Sequence, residues 1–100
     1  MIHHIVMWKL KDFAEGRTKE ENIEILINGY EELKKYIPQI KDAYIKKNII
    51  DKDGNFDTIL FTKFETKEEM ESYLSHPKHK EYSALCKNLR EDRASVDYEI

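Results

Sequence analysis

A single cysteine, Cys86, is all the thiol this chain carries. No disulfide can form within it, so the fold must hold without a covalent staple, as proteins of a reducing cytoplasm do. Proline is nearly as scarce: Pro38 and Pro77 are the only two, and each marks a boundary because proline cannot lie inside a helix. No apolar run approaches the roughly 20 residues that a membrane-spanning helix needs, so insertion into a membrane is not expected. The opening Met1-Ile2-His3-His4-Ile5-Val6 lacks the basic leader and small-residue cleavage site of a signal peptide, which again points to the cytoplasm. Excess charge of one sign is missing too. The net charge is -3, with lysine and arginine scattered among acids, so nothing suggests a phosphate-binding face and nucleic acid is not an expected partner. What is present, 40% hydrophobic and 37% charged residues over 100 positions, suits one domain spanning residues 1–100 with a single core.

From Ile2 to Lys11 the chain alternates, with Ile2, His4, Val6, Trp8 and Leu10 on one side and His3, Ile5, Met7 and Lys9 on the other; this is a strand apolar on both faces. A loop from Asp12 to Arg17 follows. Thr18-Lys19-Glu20-Glu21 is a capping-box pattern that opens a helix. Its buried stripe is Ile23, Leu26, Ile27, Tyr30, Leu33 and Ile37, and Pro38 is expected to end it. Gly29 inside it costs about 1 kcal/mol relative to alanine, which points to close packing at that position. Asp42 to Ile50 reads as a second strand and Asp57 to Glu65 as a third, joined by a turn at Asp51-Lys52-Asp53-Gly54-Asn55. That turn lacks the later glutamate of a calcium loop, while Asp-Gly supplies the positive φ a hairpin needs. Thr66-Lys67-Glu68-Glu69 opens a short helix with Met70, Tyr73 and Leu74 on its inner edge. Another starts at Pro77 with the stripe Tyr82, Leu85, Cys86 and Leu89, and a fourth strand runs from Arg93 to Ile100.

This order is the ferredoxin-like β-α-β-β-α-β arrangement, an α+β fold whose helices cover one face of a four-stranded antiparallel sheet. The first and third strands are its expected central pair. Both are apolar on each side, so Ile5, Met7, Ile59 and Phe61 would lie bare in a monomer. A second copy is the expected cover, two sheets face to face forming a homodimer with a barrel-like core.

Chemistry concentrates in Tyr73-Leu74-Ser75-His76-Pro77-Lys78-His79. Pro77 suits the first position of a helix, which places His79 in the first turn, where the helix dipole and unpaired N–H groups disfavour the imidazolium. A neutral imidazole can act as a base. The plainer alternatives are that His79 only secures the helix start, that Tyr73 is core packing, and that His4, facing inward on the first strand, is a core histidine satisfied by hydrogen bonds. His76, His79 and His4 make a poor metal set because no carboxylate or cysteine completes it and the first two straddle a helix start. His3 lies on the wrong side of its strand to join. Cys86 has no neighbouring base and reads as an inert buried thiol. No cofactor is expected.

The opening Ile2-His3-His4-Ile5-Val6-Met7-Trp8-Lys9-Leu10-Lys11, the His76-Pro77-x-His79 segment and the closing Val96-Asp97-Tyr98-Glu99 together resemble the stress-responsive α/β-barrel (Dabb) family. The resemblance implies a dimeric α+β barrel. One plant member of that family closes a linear polyketide by an aldol reaction, and its catalytic tyrosine and histidine fall on Tyr73 and His79, with a pocket-lining histidine at His4. It implies His79 as base and Tyr73 as its partner or as substrate orienter, with His4, Trp8, Tyr30 and His76 around a small carbonyl or aromatic ligand. Trp8 and Tyr30 are bulky where a long acyl chain would need room, so the proton-transfer pair carries over and the long substrate does not.

Overall fold

The structure, a computed structural model, describes residues 1–100. The strand β1 (Ile2–Leu10) has the predicted alternation, every even-numbered residue buried and every odd one between half-covered. It leads into a two-residue pair, β2 (Phe13–Ala14) and β3 (Arg17–Thr18), where a plain loop was expected. Glu15 at φ 53° and Gly16 at φ 74° make this tight reversal, the left-handed pair that two-residue hairpins demand. The buried amide of Asn22 ties it to the next helix by donating to the Ala14 carbonyl at 3.1 Å.

Helix α1 (Lys19–Lys34) starts on the predicted capping box, Thr18 and Glu21 each satisfying the other's backbone. It stops before Ile37. The last bonds tighten to three-residue spacing, Tyr36 N–H to the Leu33 carbonyl and Ile37 N–H to that of Lys34, because a residue preceding proline avoids the helical region. Strand β4 (Asp42–Lys47) is likewise shorter than expected. Asn48 bonds both backbone groups of Ile50, which pulls the chain off the sheet and leaves Ile49 and Ile50 exposed. Strand β5 (Thr58–Phe64), helix α2 (Lys67–Ser75) and helix α3 (Pro77–Leu89) fall where the patterns put them, and β6 (Arg90–Glu99) begins three residues early, directly at the end of α3.

The sheet order is β4-β5-β1-β6, every neighbouring pair antiparallel, with β1 and β5 central. This is the ferredoxin-like fold. Ile2, Val6, Trp8 and Leu10 of β1 join Leu60 and Phe64 of β5, Ala43 and Ile45 of β4 and the inner stripes of the helices in one core. Gly29 lets α3 come close: a Cβ there would stand 3.3 Å from the Tyr82 ring. The Tyr82 hydroxyl donates to the Leu26 carbonyl, so contact and hydrogen bond together pin α1 and α3. The opposite face has no helix. Ile5, Met7 and Phe61 are only half-covered there, and Tyr44, Ile59, Val96 and Tyr98 are exposed. No helix is long and apolar enough to cross a membrane.

Candidate functional site

Where α2 meets α3 the chain turns through His76, which caps α3 and precedes Pro77 at its first position. The His76 Nδ1 accepts the Lys78 N–H at 3.0 Å. That bond satisfies an orphan donor of the helix start, and it occupies the imidazole in structure. His76 was an expected ligand contact, but it does not line the cavity beneath the helices.

His79, one turn into α3, does. Its Nδ1 lies 3.2 Å from the Leu74 carbonyl. A carbonyl only accepts, so Nδ1 carries the proton and the neutral ring keeps its lone pair on Nε2. Burial pushes the His79 pKa below the ordinary 6.5, outweighing the Leu74 carbonyl, with His4 and Arg93 adding in the same direction. The ring packs against Tyr73, centroids 4.4 Å apart and tilted by 51°. The contact is between rings, not a hydrogen bond.

Tyr73 is fully buried. Its hydroxyl sits 2.9 Å from that of Tyr30, which in turn is 2.8 Å from the Thr62 hydroxyl. Burial raises the pKa of both phenols, so each stays protonated and can donate. Tyr30 therefore stands behind the site: it was an expected ligand contact, yet it is absent from the cavity wall and instead holds Tyr73.

His4 reaches the cavity from β1, and its Nδ1 bonds the carboxylate of Asp97, its cross-strand neighbour on β6. The imidazole is almost wholly buried and the carboxylate about half exposed. Asp97 thus orients His4 from the rim. Its position has a cause in register: Ala94, Val96 and Tyr98 pair with the odd residues of β1 on the open face, which turns Arg93, Ser95 and Asp97 toward the helices.

The cavity measures about 50 Å³, walled by His4, Trp8, Tyr73, His79, Cys86 and Arg93 among others. By the same measure a water needs about 10–15 Å³, so the hollow takes a few small atoms, not a long chain. The Cys86 thiol is pushed up to about 12 by burial and stays unreactive there. His3 faces the opposite side, its Nδ1 2.9 Å from the Tyr98 hydroxyl. No group of three or more histidine, cysteine, aspartate or glutamate side chains is arranged to hold a metal ion. His4, Trp8, Tyr73 and His79 thus line one cavity together with Arg90 and Arg93, and Asp97 reaches it only through His4.

A sequence model of the stress responsive A/B barrel domain (Dabb) family matches residues 2–100. The chain is similar to olivetolic acid cyclase of Cannabis sativa, 27% identical over 99 residues that cover 97% of this chain and 94% of the cyclase. It is also similar to the stress-response A/B barrel domain-containing protein DABB1 of Arabidopsis thaliana, 28% identical over 98% of this chain and only 46% of that longer protein. Among solved structures it superposes on a dimeric ferredoxin-like protein of unknown function from Thermobifida fusca with a TM-score of 0.85, 21% identity, and coverage of 99% of this chain and 90% of the other.

Proposed function

We propose that this chain, which belongs to the stress responsive A/B barrel domain family, is a single domain over residues 1–100 that binds a small carbonyl compound under its helices and moves a proton on it. His79 Nε2 takes a proton from the carbon next to the carbonyl, and the electron pair left behind passes to the carbonyl oxygen. The Tyr73 hydroxyl, donating, holds that oxygen, while His4, its Nδ1–H given to Asp97, shapes the cavity wall beside it. Returning the proton to another atom would give an isomerase; presenting the carbanion to a second carbonyl would give an aldol-type cyclase or lyase. One observation carries the reading: the His79 Nδ1 proton is committed to the Leu74 carbonyl, which leaves Nε2 free as a neutral base in a half-dry cavity. Similarity to a plant cyclase across the whole chain supports it.

The bare sheet face supports a homodimer. Ile5, Met7, Ile59, Phe61 and Val96 form an apolar patch of the kind that marks association surfaces, and the similar fold from Thermobifida fusca is described as dimeric. A lone buried thiol fits a reducing cytoplasm. A second reading, a non-catalytic stress-response dimer, is favoured by the small cavity and by a Tyr73 hydroxyl already bonded within the core.

The discriminating experiment incubates the protein in deuterium oxide with small ketones and follows loss of the proton signals beside the carbonyl by NMR. Protein-dependent exchange that disappears in His79→Gln supports proton transfer. Exchange at the buffer rate for every ketone, or equal exchange by His79→Gln, removes it and leaves the structural dimer.

A further inference from the structure

The polar atoms of the cavity divide into two groups, and only one is used by the proton-transfer reading. The other is Trp8, Arg90 and Arg93, which line the same cavity. Trp8 is 4% exposed, and its indole N–H is buried without a hydrogen-bond partner. An orphaned buried donor is costly and marks a place where a partner belongs. Arg93 is the cross-strand neighbour of Trp8. Its guanidinium hydrogen-bonds only the Ser95 hydroxyl, at 3.2 Å, and neither Arg90 nor Arg93 takes part in any ion pair of the chain. Of the carboxylates on this strand, Asp97 is occupied by His4 and Asp92 accepts the backbone N–H of Arg93 at 2.8 Å.

The backbone places the second arginine deliberately. Trp8 faces Arg93 and Lys9 faces Asp92, so an unbroken ladder would set Glu91 opposite Leu10. Instead the register shifts and Leu10 faces Arg90. This β-bulge leaves Glu91 exposed and gives its place on the helix-covered face to Arg90. One extra residue on an edge strand exchanges an acid for a base at the cavity wall. Two guanidiniums and an indole N–H then point to an anion, and planar forked donors match a carboxylate best.

We propose, resting on the proton-transfer reading above, that the ligand is a small 2-oxo acid or similar carboxylate-bearing ketone, its carboxylate received by Arg90, Arg93 and the indole N–H of Trp8 while its ketone end enters the hollow toward His79. The size fits. A cavity of about 50 Å³ admits the ketone end, and the carboxylate stays at the rim where Arg93 is exposed.

Trp8 is the only tryptophan, so one indole cross-peak in a ¹⁵N–¹H spectrum reports on it alone. The full chain is titrated with pyruvate and with the uncharged pyruvamide. The expected result is a displaced indole peak and pyruvate binding at least about tenfold tighter than pyruvamide, the scale of hydrogen bonds to a charged group. The double variant Arg90→Gln/Arg93→Gln loses that advantage, and Glu91→Gln, on the far side of the bulge, keeps it. Equal binding of pyruvamide, an indole peak unmoved at saturating pyruvate, or undiminished pyruvate binding by the double variant would overturn the proposal. The two readings fail separately: arginine-dependent pyruvate binding without methyl deuteration sinks proton transfer and leaves the carboxylate site standing. Arginine-independent binding with deuterium exchange on neutral ketones does the reverse.

Discussion

The two faces of the sheet are built from the same strands, residue by alternate residue, and they have opposite characters. On the covered face polar groups are tied to one another: His4 to Asp97, Thr62 to Tyr30, Tyr30 to Tyr73. The indole N–H of Trp8 stays unspent, and Trp8 lines the hollow. On the open face the middle of the sheet is aromatic and aliphatic, as where Tyr44 stacks on Phe61 with centroids 5.2 Å apart, with His3 and Lys46 toward its margins. The contrast teaches that enclosure makes chemistry, because a buried polar group without a partner is costly enough to be useful, whereas a bare apolar surface serves association.

Breaking the open face should have the largest effect. Phe61→Lys puts a charge in the middle of the patch, and burying it unpaired would cost about 4 kcal/mol, roughly a thousandfold in dimer dissociation constant. Sedimentation equilibrium should find a folded monomer at micromolar concentration; an unchanged dimer would mean that this face is not the interface. The covered face should respond in stability instead. Tyr30→Phe removes the hydroxyl between Thr62 and Tyr73, strands both, and is expected to cost about 2 kcal/mol in urea unfolding with the dimer intact. A loss no larger than that of an exposed tyrosine such as Tyr36→Phe would show that the hydroxyl chain is slack.

Asp97→Ala sharpens the contrast at its boundary. The carboxylate is half exposed, so stability should change by less than about 1 kcal/mol, while deuterium exchange falls about tenfold as His4 loses its orientation. Imidazole ¹⁵N shifts should show the altered tautomer of His4 and an unaltered His79. The smallest effect concerns pH. Because the folded His79 pKa lies below 6.5, the unfolded chain binds the proton more readily. This contribution to stability is complete above pH 6.5 and is lost progressively as the pH falls from there toward the folded value. Unfolding at pH 7.5 and pH 5.5 should therefore show a smaller loss for His79→Gln than for the parent chain. Identical losses would place the ring in water.

Much of this was legible beforehand, and for physical reasons. The two-sided apolar alternation of Ile2 to Leu10 can only belong to a central strand, and both capping boxes open helices where they stand. Pro77 marks the start of α3 and therefore the first-turn position of His79. The rest depended on information that alternation lacks. Period two says which residues of β6 share a face and is silent on which face the helices cover, so Asp97 had no visible role before its register against His4 was known. Arg90 was harder, since nothing in Leu89-Arg90-Glu91-Asp92 announces an extra residue in the ladder. His76 misled because an imidazole two residues before a backbone N–H can cap as well as bind. Tyr30 misled because a buried phenol can serve a pocket from behind.

The bulge at Glu91 also bears on how such a chain can change length. Leu10 pairs with Arg90 and Lys9 with Asp92, so the residue between them could be excised and both neighbouring pairs kept. The edge would straighten while every side chain upstream and downstream held its side of the sheet. A one-residue deletion between Asp92 and Asp97 would instead turn His4's carboxylate partner away and bring Tyr98 opposite it. The strand thus has one joint where the genetic text can be shortened by a codon without rewriting the site, and that joint is the one that delivers an arginine to it.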